Sequence, residues 1–131
     1  MQITRHNPTP WLEHFGLNHA IEVTGASRTL YLSGQTASDA DGAPLHPGDI
    51  VAQYKAAWAC LIAALEAAGM TPANIVRMNI YTTDIDAFMA TAEETTALHV
   101  AAGAQIACTL LGVARLYDPA IMIELEATAV A

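Results

Sequence analysis

The sequence predicts an α+β fold of one domain over residues 1–131, and three observations predict it. Ile121, Ile123, Leu125, Ala127 and Ala129 alternate with Met122, Glu124, Glu126, Thr128 and Val130, the period-two signature of a strand with two carboxylates on one face. Ile50, Tyr54, Trp58, Leu61 and Leu65 recur at helical spacing after Asp49, a good N-cap residue, and before Gly69. A second helical pattern runs through Phe88, Met89, Ala92 and Leu98.

Taken in order, residues 1–15 read as irregular, with Trp11 and Phe15 pinning the segment to the body. Residues 19–23 and 28–33 read as two strands of a hairpin around the turn Thr24-Gly25-Ala26-Ser27, and residues 38–48, rich in Asp, Gly and Pro, as a surface loop. The helix after Asp49 follows, then a short turn with Pro72 at its first helical position. Residues 75–83 form a strand with Val76, Met78 and Ile80 on one face; Asp86 caps a second helix that Gly103 stops near Ala102. Residues 107–116 and 120–130 then read as a hairpin around Asp118-Pro119. The order is β-β-α-β-α-β-β, a sheet with two helices on one face, the first of them long enough to be a parallel crossover.

Composition narrows the function. Thirteen acidic residues against five basic ones give a formal net charge of -8, which opposes binding to a phosphate backbone, so nucleic acid is not the expected partner. Hydrophobic residues are 53% and charged residues 14%, a balance that suggests apolar surface hidden between subunits. The N-terminal residues lack a signal-peptide core, and the apolar stretch 56–68 is too short and amphipathic for a membrane span, so a cytoplasmic protein without membrane contact is expected. Cys60 and Cys108 then read as free thiols. Histidines at 6, 14, 19, 46 and 99 show no ligand spacing, and no metal site is expected.

Leu32-Ser33-Gly34-Gln35, Glu66-Ala67-Ala68-Gly69-Met70, Ile75-Val76, Tyr81-Thr82-Thr83-Asp84 with Phe88, and Gly112-Val113-Ala114-Arg115-Leu116 through Ile123-Glu124-Leu125-Glu126-Ala127 stand in the order and spacing of the Rid family, also called YjgF. The chain resembles that family over about residues 15–130. The resemblance implies a chorismate-mutase-like fold and a homotrimer with a small-molecule cleft between each pair of neighbouring subunits. It also implies hydrolytic deamination of reactive imines or enamines such as 2-aminoacrylate to a carbonyl compound and ammonia, with no metal or organic cofactor. A ligand-binding or regulatory trimer without turnover is the alternative, and an endoribonuclease is a third reading that the acidic balance opposes.

The chemistry needs a cation for the substrate carboxylate, a proton donor and a positioned water. The family's last-strand glutamate matches Glu124; Cys108 stands where the deaminase branch has its carboxylate-holding arginine, and Leu17 where it has a cleft tyrosine. A hydrogen bond to a charged group contributes roughly 1.5 to 3 kcal/mol, so loss of the arginine weakens carboxylate substrates by about 10- to 150-fold. A less charged or larger substrate suits Leu17 and Cys108. Arg115, seven residues beyond Cys108, falls on the opposite face of a regular strand and does not substitute.

Glu124 and Cys108 are therefore the catalytic candidates, and Leu17, His19, Ser33, Gly34, Thr109 and Leu110 the substrate-binding ones. Two readings of Cys108 stay open: a cleft thiol acting as nucleophile or proton donor near His19 or His99, or a small residue filling the arginine's space. Glu124 is either a cleft acid-base group or a strand-face carboxylate paired with Arg115, and Glu126 reads as a solvated or interface charge. Ser33 and Gly34 are expected to act through backbone N–H groups rather than the hydroxyl.

Overall fold

The computed structural model describes residues 1–131. Its strands are β1 (Gln2–His6), β2 (Leu17–Asn18), β3 (Ala20–Thr24), β4 (Thr29–Thr36), β5 (Ile75–Thr82), β6 (Ile106–Gly112) and β7 (Ile123–Val130). Its α-helices are α1 (Ile50–Ala67), α2 (Ile85–Ala90) and α3 (Ala92–Ala101). Five strands form one sheet in the order β2-β6-β5-β7-β4, while β1 and β3 pair antiparallel as a separate two-stranded ribbon. The expected α+β class holds, with three α-helices rather than two.

Both expected hairpins are absent, for one reason. A turn signal reports that the chain reverses, not which strand it returns to. The strand expected to pair with β4 pairs instead with β1, inside a segment that reads as irregular. At the C-terminal end, β5 lies between β6 and β7, parallel to the former and antiparallel to the latter. Residues 113–122 arch over the end of β5, held by Val113 N–H donating to Thr82 O (2.8 Å) and Thr83 N–H donating to Met122 O (3.1 Å). Strand β6 ends at Gly112, so Arg115 sits in this arch rather than on a strand face. β4 and β5, both antiparallel to β7, run parallel to each other, as the α1 crossover predicts.

Helix α1 begins where the sequence places it: Asp49 Oδ1 accepts from Ala52 N–H at 3.0 Å, satisfying one orphan donor of the first turn. It is long and apolar enough by length and composition to cross a membrane, yet Tyr54, Trp58, Leu61 and Leu65 are buried in the core against the sheet. Gln53, fully buried beside them, donates to Leu45 O (3.1 Å) and Ala120 O (2.6 Å) and accepts from Met122 N–H (2.8 Å), tying α1 to the arch. Asp84, not Asp86, caps the next helix by accepting from Ala87 N–H at 2.9 Å. Thr91 then divides it, its hydroxyl donating back to Phe88 O at 3.0 Å and competing with the helical ladder.

The helices cover one face of the sheet only. Met78, Ile80, Ile123, Leu125 and Ala127 point into that core, whereas Glu124, Glu126, Tyr81 and Thr109 alternate onto the other face, where Tyr31 and Leu111 are exposed.

Candidate active site

The strand period distributes the sequence-predicted site residues over both faces of the sheet. Leu17, Cys108 and Leu110 lie on the helix-covered side and line one cavity of about 300 Å³, at the lower end of the size of small-molecule sites. Its walls come from the turn Trp11–Phe15, from β5 and β6, and from α1, α2 and α3, with Phe15, Tyr54, Phe88 and His99 among them. Trp11, 58% exposed, packs edge-on against Phe15 with ring centroids 6.3 Å apart, and both sit at the mouth. His19 is exposed outside it, edge-on to Trp11 at 6.2 Å.

Few polar groups enter this space. Burial pushes the Cys108 thiol up to about 11, against a smaller opposing effect of the Arg77 charge. The thiol is thus protonated near neutral pH, which opposes its reading as a nucleophile and leaves proton donor or space filler. Burial, with a smaller contribution from Cys108, also raises the Tyr54 phenol above its ordinary value. Tyr54 is 1% exposed, yet its hydroxyl makes no hydrogen bond within the chain. His99 Nε2 lies 3.2 Å from Phe15 O; a carbonyl only accepts, so Nε2 carries the proton and Nδ1 is a bare, buried acceptor with no partner. Burial lowers the imidazole's pKa, and the Phe15 carbonyl partly opposes it.

Glu124 belongs to the open face, two strands from Cys108. Strand β4 bulges opposite it: Leu32 pairs with Ala127 and Gln35 with Leu125, leaving Ser33 and Gly34 out of register. The Glu124 carboxylate lies against Gly34, where a Cβ would stand 2.7 Å from Cδ. It accepts no hydrogen bond from the chain, and the expected alternative pairing with Arg115 does not form; the ion pairs are His6–Glu22 and Lys55–Glu94. Glu126, expected to be solvated or at an interface, accepts from Tyr81 Oη at 2.8 Å, a bond that raises the phenol's pKa. The Thr109 hydroxyl, on the open face, accepts from Arg77, so this cation is engaged away from the cavity.

The structure therefore brings together Leu17, Cys108 and Leu110 in one place, Ser33, Gly34 and Glu124 in another, and joins neither to His19 or Thr109. Sequence reasoning missed Tyr54 as a cavity residue, because its helical spacing reads as ordinary core, and Trp11 and Phe15 as a mouth, because an irregular segment carries no period.

Residues 15–131 match the family model described as endoribonuclease L-PSP. The chain is similar to YyfB of Yersinia pestis, a protein of unknown function of the conserved Rid family, at 33% identity over 100% of both chains with a TM-score of 0.88. It is also similar to the YjgF gene product of E. coli, at 29% identity over 83% of this chain and 84% of that one with a TM-score of 0.69. RidA from the Antarctic bacterium Psychrobacter is 25% identical over 87% of each chain, with a TM-score of 0.69. No curated protein matches.

Proposed function

Because the chain belongs to the Rid/YjgF family, we propose that it hydrolyses the C=N bond of a small reactive imine, or of its enamine tautomer, to a carbonyl compound and ammonia. Water adds to the imine carbon, and the resulting carbinolamine expels ammonia as the carbonyl forms. The protein's part is to exclude bulk water, hold the C=N group and move protons to and from the attacking water and leaving nitrogen. The observation that carries this reading is the Glu124 carboxylate, set over the Gly34 backbone at a bulge and free of any hydrogen bond that would occupy it. Such a group can orient water and take its proton.

The cavity and Glu124 lie on opposite faces of one sheet, so a site that uses both draws on two subunits. The uncovered face, with Tyr31 80% exposed and Leu111 48% exposed, supports the homotrimer that the family resemblance implies. In that assembly the cavity receives the substrate's body and a neighbouring Glu124 faces its reacting carbon. Cys108 forms part of the wall.

The test is ammonia release from imines generated in situ by an amino-acid oxidase. Glu124→Ala should lower the rate by about 100-fold or more, in the range of general acid-base groups. Equal rates in wild type and variant would remove Glu124 from the mechanism, and no release above the buffer blank across small and aromatic imines would sink the hydrolysis. One observation favours a second reading, a binding trimer without turnover: no cation lines the cavity. Saturable ligand binding with no ammonia release would establish it. The endoribonuclease activity in the family's description is opposed by a net charge of -8.

A further inference from the structure

The cavity's polar groups differ from what an anionic substrate requires. Six lining residues carry polar hydrogens: Trp11 at the mouth, Tyr54, Thr95, Thr96, His99 and Cys108. None is a cation. The Thr95 hydroxyl donates to Ala92 O at 3.1 Å, His99 Nε2 is spent on Phe15 O, and His99 Nδ1 offers only a lone pair, which repels an anion. A carboxylate placed here would lose its hydration with no charge to replace it. Arg77, the cation whose charge reaches Cys108, points to the opposite face and bonds Thr109.

Tyr54 is the most deeply buried of the lining residues whose donor has no partner in the chain. Its ring packs against Phe88 with centroids 6.1 Å apart, and the residue is 1% exposed, so its rotamer is fixed by the core. Buried hydroxyls are ordinarily hydrogen-bonded. This one makes no bond in the chain, and the only buried unpartnered side-chain atom sealed from contact is His99 Nδ1. The Tyr54 oxygen therefore keeps its remaining contact through the cavity that Tyr54 lines. Burial keeps it protonated at neutral pH, a donor with no acceptor.

We propose that the cavity takes a neutral imine with an aromatic or branched apolar body and no carboxylate, anchored by a hydrogen bond from Tyr54 Oη to its C=N nitrogen, and that the ketone or aldehyde product is held through its oxygen in the same way. This deepens the proposed hydrolysis by naming its substrate class and rests on that reading for the reaction, though not for the binding. Phe15, Leu17, Phe88 and Leu110 supply the apolar walls. The Tyr54 proton, directed at the nitrogen, polarises the bond that water attacks.

Calorimetric titration of the full chain at neutral pH with three probes of similar size tests it: acetophenone (neutral, with an acceptor oxygen), ethylbenzene (no acceptor) and benzoylformate (the same ketone with a carboxylate). Acetophenone should bind about tenfold more tightly than ethylbenzene, and more tightly than benzoylformate by about tenfold or more. Tyr54→Phe should bring acetophenone to the ethylbenzene level and leave ethylbenzene unchanged; Cys108→Arg should reverse the preference between acetophenone and benzoylformate. Benzoylformate binding as tightly as acetophenone in the wild type, an acetophenone advantage that survives Tyr54→Phe, or no saturable binding of acetophenone would each overturn the proposal. The wild-type comparison decides even if a variant fails to fold. Ammonia release is read separately: this binding pattern without turnover retires the hydrolysis and keeps the ligand class, whereas turnover confined to carboxylated imines does the reverse.

Discussion

Glu124 rests on Gly34, and the contact leaves room for nothing larger: a Cβ at position 34 would lie 2.7 Å from Glu124 Cδ and 2.9 Å from Cγ. The carboxylate is the far end of a flexible side chain, so it would yield before the backbone does. Gly34→Ala should therefore displace Glu124 at small cost, about 1 kcal/mol of stability or less. Ammonia release should fall nearly as far as in Glu124→Ala. A full rate in Gly34→Ala, with an unchanged melting temperature, would show that this placement is immaterial.

A thiol pushed up to about 11 is a poor nucleophile at ordinary pH. At pH 8, Cys108 should be alkylated by iodoacetamide about a hundredfold more slowly in the native chain than in the urea-unfolded chain, from the thiolate fractions alone. The native rate should climb through pH 11 unless alkali unfolds the protein first. Mass spectrometry of the peptide carrying residue 108 separates it from Cys60. Rapid native alkylation at pH 7 would restore the nucleophile reading.

Local elements of the fold were legible in the sequence. The capped helix α1 and the alternation in β7 follow from local periodicity and local motifs, and both stand in the structure. Strand pairing was not legible. Whether residues 20–24 join β4 or β1, and whether β5 enters between β6 and β7, depends on contacts between segments far apart in the chain. The same gap split the candidate site: Cys108 and Thr109 are neighbours in sequence, but a strand's pleat sends one into the cavity and the other to Arg77. Asp84, not Asp86, is the cap, and local pattern does not separate them because the two residues carry the same chemistry two positions apart.

His99 gives a pH dependence with a definite sign. Burial holds its pKa below the ordinary 6.5, so as pH falls the unfolded chain takes up the proton first. Its contribution to stability is fully present above about 6.5 and is lost as pH falls through the depressed folded value. Between pH 7 and pH 5 the melting temperature of the wild type should drop more steeply than that of His99→Gln, with the carboxylates common to both cancelling in the difference. Parallel slopes would refute a buried neutral imidazole.

Tyr31, 80% exposed on the helix-free face, is a sensitive point for assembly. In the proposed trimer, Tyr31→Asp places a charge where apolar surface meets a neighbour and should shift light-scattering mass from three chains toward one at micromolar concentration. Helical content should be unchanged, because the Tyr31 side chain is exposed on the helix-free face. A wild type that already scatters as a monomer would remove the assembly altogether.

The position of β7 also bears on how the chain reaches its folded state. This strand, the last of the sheet in sequence, lies second from one edge and is the shared partner of β4 and β5. Until residues 123–130 leave the ribosome, β4 has no neighbour in the sheet and β5 has one free edge. The growing polypeptide must wait for them with two unpaired borders exposed, which are sites for mispairing with other nascent chains. Closing contacts across one hundred intervening residues, as between Thr29 and Val130, also raises contact order and slows folding relative to a meander with the same strands.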